Sequence, residues 1–393
     1  MTAAVLGAIG AAPALAQDIN VKMGVMNDRS GIYSDLTGEG SVVAARMAAE
    51  DFMAEEGGLN IEIVSADHQN KPDIGSNIAR KWYDEEGVTA ILDVPTSSVA
   101  LAVAQITHEK NGVLVNSGAG STALTHEQCL PTTIHWTYDT AALANGTGKA
   151  MTLAGGKKWF FLTADYAFGH SLEENTAAVV EANGGEVVGT VNVPFPATDF
   201  SSFLLQAQAS GADVIGLANA GGDTVNAIKQ AEEFGITQAG QKLAALLFFI
   251  TDVHALSPET RAGLSMTEAY YWDENDGTRE WSKRFLERHG SMPSMVQAGV
   301  YSSALHYLRA VKAAGTTDGR VVADKMKEMH FDDVLFGKGY IRADGRGIHD
   351  MYLFQVKTPE ESSGEWDLYN KVATISGEDA FLPMLDKCDF SKK

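Results

Sequence analysis

VTAILDVPTSSVALAVAQITHEKNGVLVNSGAGSTALT, residues 88–125, contains one complete strand–helix–strand unit with both of its exit loops. VTAILDV (88–94) and GVLVN (112–116) are short β-branched runs, and SVALAVAQITHE (98–109) between them has helical spacing. Two strands separated by a helix of this length pair in parallel, with the helix crossing one face of the sheet. Ligands of such sheets collect where the strands end. Those ends are PTSS and NSGAGST, loops of hydroxyls and very small residues.

The unit repeats in both directions. INVKMGVM (19–26) and LNIEIVSAD (59–67) read as strands, with helices over 38–56 and 73–86. After an extended segment, TIHWTYD (133–139), a second series begins: helix 140–154, KKWFFLT (157–163), helix 169–183, EVVGTVNV (186–193), helix 199–210, ADVIGLAN (212–219), helix 222–234 and KLAALLFF (242–249). The pattern predicts an α/β protein of two lobes, each a mainly parallel sheet flanked by helices. Helices predicted near 277–289, 294–314 and 320–329 have no further strands to cover, so they pack on an existing sheet, and the remaining extended segments are near 348–357, within HDMYLFQVKT (349–358), and WDLYNKVATI (366–375). The lobes are therefore discontinuous. Lobe 1 is expected from 17–139 plus about 269–345, lobe 2 from 140–268 plus about 346–380, and the tail 381–393 packs back toward lobe 1.

The chain has 393 residues, 45% of them hydrophobic, with 30 Lys plus Arg against 51 Asp plus Glu and a formal charge of -21. That balance repels nucleic acid and anionic membrane surfaces. At the front, MTAAVLGAIGAAPALA has the apolar body and small-x-small end of a secretory signal without its basic start, which predicts cleavage near Ala16 and a periplasmic mature protein. No later apolar run is long enough to span a bilayer, so no membrane insertion is expected. The two cysteines, Cys129 and Cys388, are expected to pair in an oxidising compartment and pin the tail to the first half of the chain.

Signatures of catalysis and cofactor binding are missing. No GxGxxG follows the first strand, and neither GxxxxGK[ST], GxSxG nor HExxH occurs. His68, His126, His135 and His254 are expected at the surface or in loops, not as metal ligands, and Asp165 with His170 lacks a nucleophile. No enzyme activity, cofactor or metal is expected. Hydroxyls at strand ends are the stronger signal. Thr96, Ser97 and Ser98 open a helix, where one caps and the first-turn amides can receive a carboxylate. Ser117, Ala119, Gly120 and Ser121 end the neighbouring strand, completing a candidate anion cradle. Tyr33 leaves the first strand at the same rim, Tyr166 and Phe168 leave a strand of the second lobe, and Asp252 follows an apolar run there, either facing the cleft or capping a short helix. Tyr270, Tyr271 and Trp272 stand near a crossing, where they wall the cleft or bury the hinge.

With VKMGVMNDRSGIYSDLTGEG, VPTSSVALAV, GVLVNSGAGSTALT and TADYAFG in this order and spacing, the chain resembles the periplasmic solute-binding proteins of the leucine/isoleucine/valine type. These have the type I periplasmic binding fold, with multiple hinge crossings, and serve ABC importers. The resemblance implies a monomer that captures a small carboxylate-bearing ligand by lobe closure and hands it to importer membrane subunits. Carried over, the carboxylate falls to Ser97 or Ser98, the Ala119 backbone and Ser121; closing aromatics are Tyr33 and Phe168; an α-ammonium falls to Asp252. Where the family places a second-lobe tyrosine, this chain has Ala220, a departure that leaves branched-chain amino acids and aromatic carboxylates both open. An exported sensor of amides, urea or small acids is the alternative reading.

Overall fold

The computed structural model describes residues 19–392; the expected signal segment and its cleavage at Ala16 lie outside the described residues. The first sheet is built from β1 (Ile19–Asn27), β2 (Leu59–Asp67), β3 (Ala90–Asp93), β4 (Val113–Asn116) and β5 (Thr133–His135), in the order β2-β1-β3-β4-β5 and parallel throughout. Its crossovers are α1 (Gly38–Glu55), α2 (Pro72–Lys81) and α3 (Ser97–Glu109). β3 and β4 are buried at every position, which is why both read as unbroken apolar runs and not as alternating ones. Thr133–His135, expected only as a connecting segment, is the fifth strand; at three residues it is too short for its period to show.

The chain then leaves for the second lobe through Tyr138 and Asp139. Asp139 caps α4 (Thr140–Leu143) by accepting the N–H of Ala142 at 2.9 Å, and after one wider turn the helix continues as α5 (Lys149–Leu153). The second sheet has the order β7-β6-β8-β9, from β6 (Lys158–Ala164), β7 (Glu186–Val193), β8 (Val214–Ala218) and β9 (Lys242–Ala245). Between them run α6 (Ala167–Ala182), α7 (Ser201–Ala209) and α8 (Gly222–Glu233). β9 stops four residues short of the expected strand end because the chain turns into α9 (Ile250–His254).

After α10 (Pro258–Arg261), β10 (Ser265–Glu268) pairs antiparallel with β14 (Met351–Val356), and β14 with β15 (Tyr369–Ile375). The intervening α11 (Asp276–His289), α12 (Met295–Ala314) and α13 (Gly319–Glu328) return to the first sheet. There Arg284 holds Asp51 of α1 through two contacts of 2.6 and 3.0 Å, and Tyr301 donates to the same carboxylate at 2.8 Å. Gly40 has no side chain because the Gln297 amide fills the place of its Cβ, and that amide donates to the Thr37 carbonyl at 3.0 Å. A small antiparallel sheet, β11 (Phe331–Asp333), β12 (Gly337–Ile341) and β13 (Gly347–Ile348), follows; its segments are too short and too mixed for the sequence to announce them.

Where the chain crosses between lobes, Arg346 is wholly buried. Its Nη1 donates to the Tyr138 carbonyl at 2.8 Å and lies 3.7 Å from Asp139, and its guanidinium sits 4.6 Å over the Phe381 ring. One side chain thus ties two crossings and the start of the tail together. The tail is fixed again by the Cys129–Cys388 disulfide, which joins positions 259 apart. Tyr270 packs on Trp281 and Phe336, and Tyr271 on Tyr369 and Phe354, so these aromatics bury a crossing and do not wall the cleft.

Candidate functional site

The loops at the strand ends of the two sheets face each other. Asp28 shapes the loop after β1 by accepting the N–H groups of Gly31 at 2.7 Å and Tyr33 at 3.0 Å and the Asn70 side-chain amide at 2.6 Å. This turns Tyr33 inward, where it is 3% exposed and its hydroxyl meets that of Tyr166 at 2.6 Å. Burial, then the Tyr166 hydroxyl, drives the Tyr33 phenol well above its ordinary pKa, so both are neutral hydrogen-bonding groups at physiological pH. Phe195 lies 4.3 Å from the Tyr166 ring and 5.6 Å from the Tyr33 ring, centroid to centroid.

Behind this contact is a nearly filled cavity of about 10 Å³. Tyr33, Tyr138, Tyr166 and Phe168 form its aromatic walls; Leu36, Pro95 and Leu247 complete them, and Gly118 and Ala220 leave the remaining space. No lining residue carries a charged side chain. The volume is about the space of one water molecule, so a solute enters these walls only when the loops part. Tyr138 is oriented by a 2.6 Å hydrogen bond from its hydroxyl to the Gly118 carbonyl.

Two further points define the closed fit. A Cβ on Gly120 would come within 3.0 Å of both Phe168 and Tyr138, and a Cβ on Gly221 within 2.5 Å of the Ile32 carbonyl. Gly221 also has φ 56°, and the next residue, Gly222, donates its N–H to the Ile32 carbonyl at 3.2 Å. Glycine at both places lets one lobe's backbone touch the other lobe.

The expected cradle residues are neighbours with unequal roles. Thr96 precedes α3 but does not cap it, since its hydroxyl goes to the Asn70 side-chain oxygen. Ser97 is buried and its Oγ accepts the Ser121 N–H at 3.2 Å, joining the two loops; Ser98 is half-buried beside it. Ser121 accepts the Ala123 N–H at 3.3 Å and so caps the following turn. Ala119 donates its N–H to the Asn116 side chain at 3.1 Å, and its carbonyl receives His135 Nε2 at 2.6 Å. Ser117 turns away from the cavity toward Ser303 on α12, 3.3 Å away. Asp252 does not line the cavity; its carboxylate accepts the Phe249 N–H at 3.0 Å at the start of α9, and burial pushes its pKa up to about 7.

Other polar residues are placed differently from expectation. His68 lies in a loop as expected but is buried, accepting the Asn70 N–H at 3.0 Å, whereas His135 is neither in a loop nor at the surface: it is buried in β5 and holds the Ala119 loop. His170 and Asp165 form a half-exposed pair at 3.0 Å. Among the described residues no group of three or more His, Cys, Asp or Glu side chains could hold a metal ion, and no helix is long and apolar enough to cross a membrane. Sequence reasoning missed Tyr138, Leu247, Leu36, Pro95 and Gly118. Tyr138 had a usable signal, an aromatic at the predicted crossing; Leu247 had none, because it sits in an apolar run indistinguishable from a core strand.

The periplasmic binding protein family matches residues 20–365. A crystal structure of a periplasmic binding protein from Burkholderia mallei is 53% identical, covers 94% of this chain and 98% of that chain, and superposes with a TM-score of 0.91. A branched chain amino acid ABC transporter periplasmic ligand-binding protein from Burkholderia xenovorans is 38% identical over 92% of this chain and 97% of its own, with a TM-score of 0.81. Among curated proteins, Leu/Ile/Val-binding protein homolog 6 of Brucella melitensis is 26% identical over 369 residues, 89% of this chain and 90% of its own. With two sheets whose loops close on a compact cavity, and with this likeness over nearly its whole length, the chain belongs to the periplasmic binding proteins, the non-catalytic solute-binding components of ABC importers.

Proposed function

We propose that this protein captures a compact carboxylic acid, with an aromatic or short branched body, and delivers it to the membrane subunits of an ABC importer. The observation that carries this reading is the cavity: four aromatic rings, three apolar side chains, a glycine and an alanine, with no charged side chain among them. Such walls suit a flat or branched apolar body. The carboxylate belongs at the start of α3, where Thr96 leaves the first-turn amides without a side-chain cap and Ser97 and Ser98 bring hydroxyls. Helix-start amides and hydroxyls hold an anion without a full positive charge. Closure then brings Tyr166 and Phe168 over the solute and excludes water from those hydrogen bonds.

An α-amino acid would also need a partner for its ammonium. Asp252 is engaged with the start of α9, which favours an acid without an α-ammonium over a branched-chain amino acid. The name of the Burkholderia xenovorans relative speaks for the competing solute. Export through residues 1–16, action as a monomer, and the lobe division 17–139 with about 269–345 against 140–268 with about 346–380 belong to the same reading. The discriminating experiment is a thermal-shift panel of benzoate, 4-hydroxybenzoate, phenylacetate, 2-oxoisocaproate, leucine, isoleucine and valine, followed by calorimetry. A ligand that binds only the native state raises Tm with its concentration. Stabilisation by the acids and not by the amino acids is expected; stabilisation by leucine, isoleucine or valine alone would overturn the preference.

A further inference from the structure

One buried carboxyl stands directly behind the cavity wall and has no role in the capture just described. Asp93, the last residue of β3, is fully buried, with a backbone φ of 78°, and Val94 after it has φ 53°. Both are left-handed conformations in residues other than glycine, a strain that concentrates at functional sites. Asp93 Oδ2 accepts the Asn27 side-chain amide at 3.0 Å. Oδ1, Ser41 Oγ and Asn27 Oδ1 make no well-formed hydrogen bond among the described residues, although Ser41 stands close enough to the Asp93 carboxyl to favour its charged form against the effect of burial. Oδ1 lies 2.6 Å from the place a Cβ would take on Gly118, and Gly118 lines the cavity. Only one glycine therefore separates this oxygen from the solute, and Pro95, two residues on, lines the cavity as well.

The surroundings contain no cation to hold a carboxylate. From β1 comes Asn27, from α1 Ser41, and from β4 Asn116, whose amide donates to the carbonyls of Asp93 at 2.9 Å and Val94 at 3.1 Å. The titratable group facing it is the Tyr138 phenol, which is itself driven upward by burial, Tyr166 and Asp93. The neighbouring acid, Asp28, is occupied with Gly31, Tyr33 and Asn70. Asn27, Ser41 and Asn116 come from β1, α1 and β4, so the group is held by the first sheet and its covering helix.

Resting on the proposed carboxylate reading, we infer that Asp93 makes anion capture proton-linked: the solute's carboxylate binds together with one proton taken from solvent onto the Asp93 carboxyl. Two negative charges separated by a glycine inside one lobe repel strongly, and protonation of Asp93 removes the repulsion and gives the strained carboxyl an O–H to donate into the unpartnered group around Ser41. Burial already brings the ordinary carboxylate value up to about 7 before any anion arrives, so the proton is exchanged within the physiological range. Asp93 acts here as a positioning residue that selects anions by their cost in protons; it does not touch the solute.

The test is calorimetry of the tightest-binding acid of the panel at pH 7.5 in phosphate, HEPES and Tris, whose different ionisation enthalpies report protons exchanged. Uptake of roughly 0.5–1 proton per bound acid is expected, with affinity falling up to about tenfold per pH unit above pH 7. Asp93→Asn should show near-zero uptake and a flat affinity from pH 6.5 to 8.5, binding more tightly than the unaltered protein at the upper end. Binding of an acid without proton uptake, or equal uptake in Asp93→Asn, overturns the inference and leaves the carboxylate reading standing. If no acid of the panel binds, that reading falls and this inference with it. Where that variant fails to fold, absence of uptake in the unaltered protein still overturns the inference, and Asn27→Ala, which removes the amide on Asp93 Oδ2, must move the pH midpoint of uptake upward for it to stand.

Discussion

The hydroxyls of Tyr33 and Tyr166, 133 positions apart in sequence, lie 2.6 Å from each other across the cleft. The bond exists only when the lobes are closed, so it adds to the free energy of closure and hence to solute affinity. Removing one hydroxyl leaves the other buried without a partner. Tyr166→Phe should therefore weaken binding by about 1–3 kcal/mol, roughly 5–100-fold. Tyr33→Phe with Tyr166→Phe should recover part of that loss, because no orphaned hydroxyl remains. Equal affinities by calorimetry for the single variant and the unaltered protein would remove the contact from the closing mechanism.

Gly120 and Gly221 set how near the lobes come. Gly120→Ala places a methyl against Phe168 and Tyr138, and Gly221→Ala against the Ile32 carbonyl. Gly221→Ala also strains its own backbone at φ 56°, so its solute-free Tm should fall, whereas Gly120→Ala should lower it less; affinity should drop at least tenfold in both. Small-angle scattering with saturating solute should show the variants more extended than the unaltered protein. A fully compact, solute-bound Gly120→Ala protein would contradict this reading.

Asp252 offers a pH prediction. Its pKa in the folded protein, about 7, is above the ordinary carboxylate value because burial disfavours the charge. The folded state thus binds the proton more tightly than the unfolded state, and stability from this group is lost as pH rises from about 4 to about 7. Asp252→Asn removes that loss and keeps an oxygen for the Phe249 N–H. Its Tm relative to the unaltered protein should rise between pH 5 and pH 8, by a free energy of at most about 3 kcal/mol. A difference that stays constant with pH would show that Asp252 remains charged when folded.

Replacing Cys129 and Cys388 by serine opens a covalent loop joining positions 259 apart. The freed unfolded chain gains entropy, and the folded state should lose about 2–5 kcal/mol. Calorimetric scans should show Tm lowered by roughly 3–6 °C, with the same loss for the unaltered protein after reduction.

Most of the framework was readable in the sequence because the central parallel strands are buried on both faces, the edge strand β7 alternates, and the crossover helices are long. INVKMGVM, LNIEIVSAD and EVVGTVNV appear as strands within a residue of the expected limits. What escaped was short: Thr133–His135, the three small strands after α13, and the early end of β9, where an apolar run continues straight into a helix start. At the site, residue types at strand ends pointed to the right rim, and Tyr33, Tyr166, Phe168 and Ala220 line the cavity. Direction was not legible. Ser117 and Ala119 sit in the same bare loop as Gly118, yet one faces α12 and the other has its amide bound to Asn116, and only packing from sequence-distant helices settles which way each points.

The clasp between α1 and α12 has a consequence for how the molecule comes into being. Asp51 waits for Tyr301, 250 positions downstream, and the ring of Phe52 for the ammonium of Lys312. As the chain emerges from its N-terminus, that apolar flank has nothing to rest on until most of the polypeptide has arrived. A protein cut short anywhere before α12 should therefore yield a sticky, incomplete fragment and not an independent half, and maturation has to begin after delivery of the last third of the polypeptide.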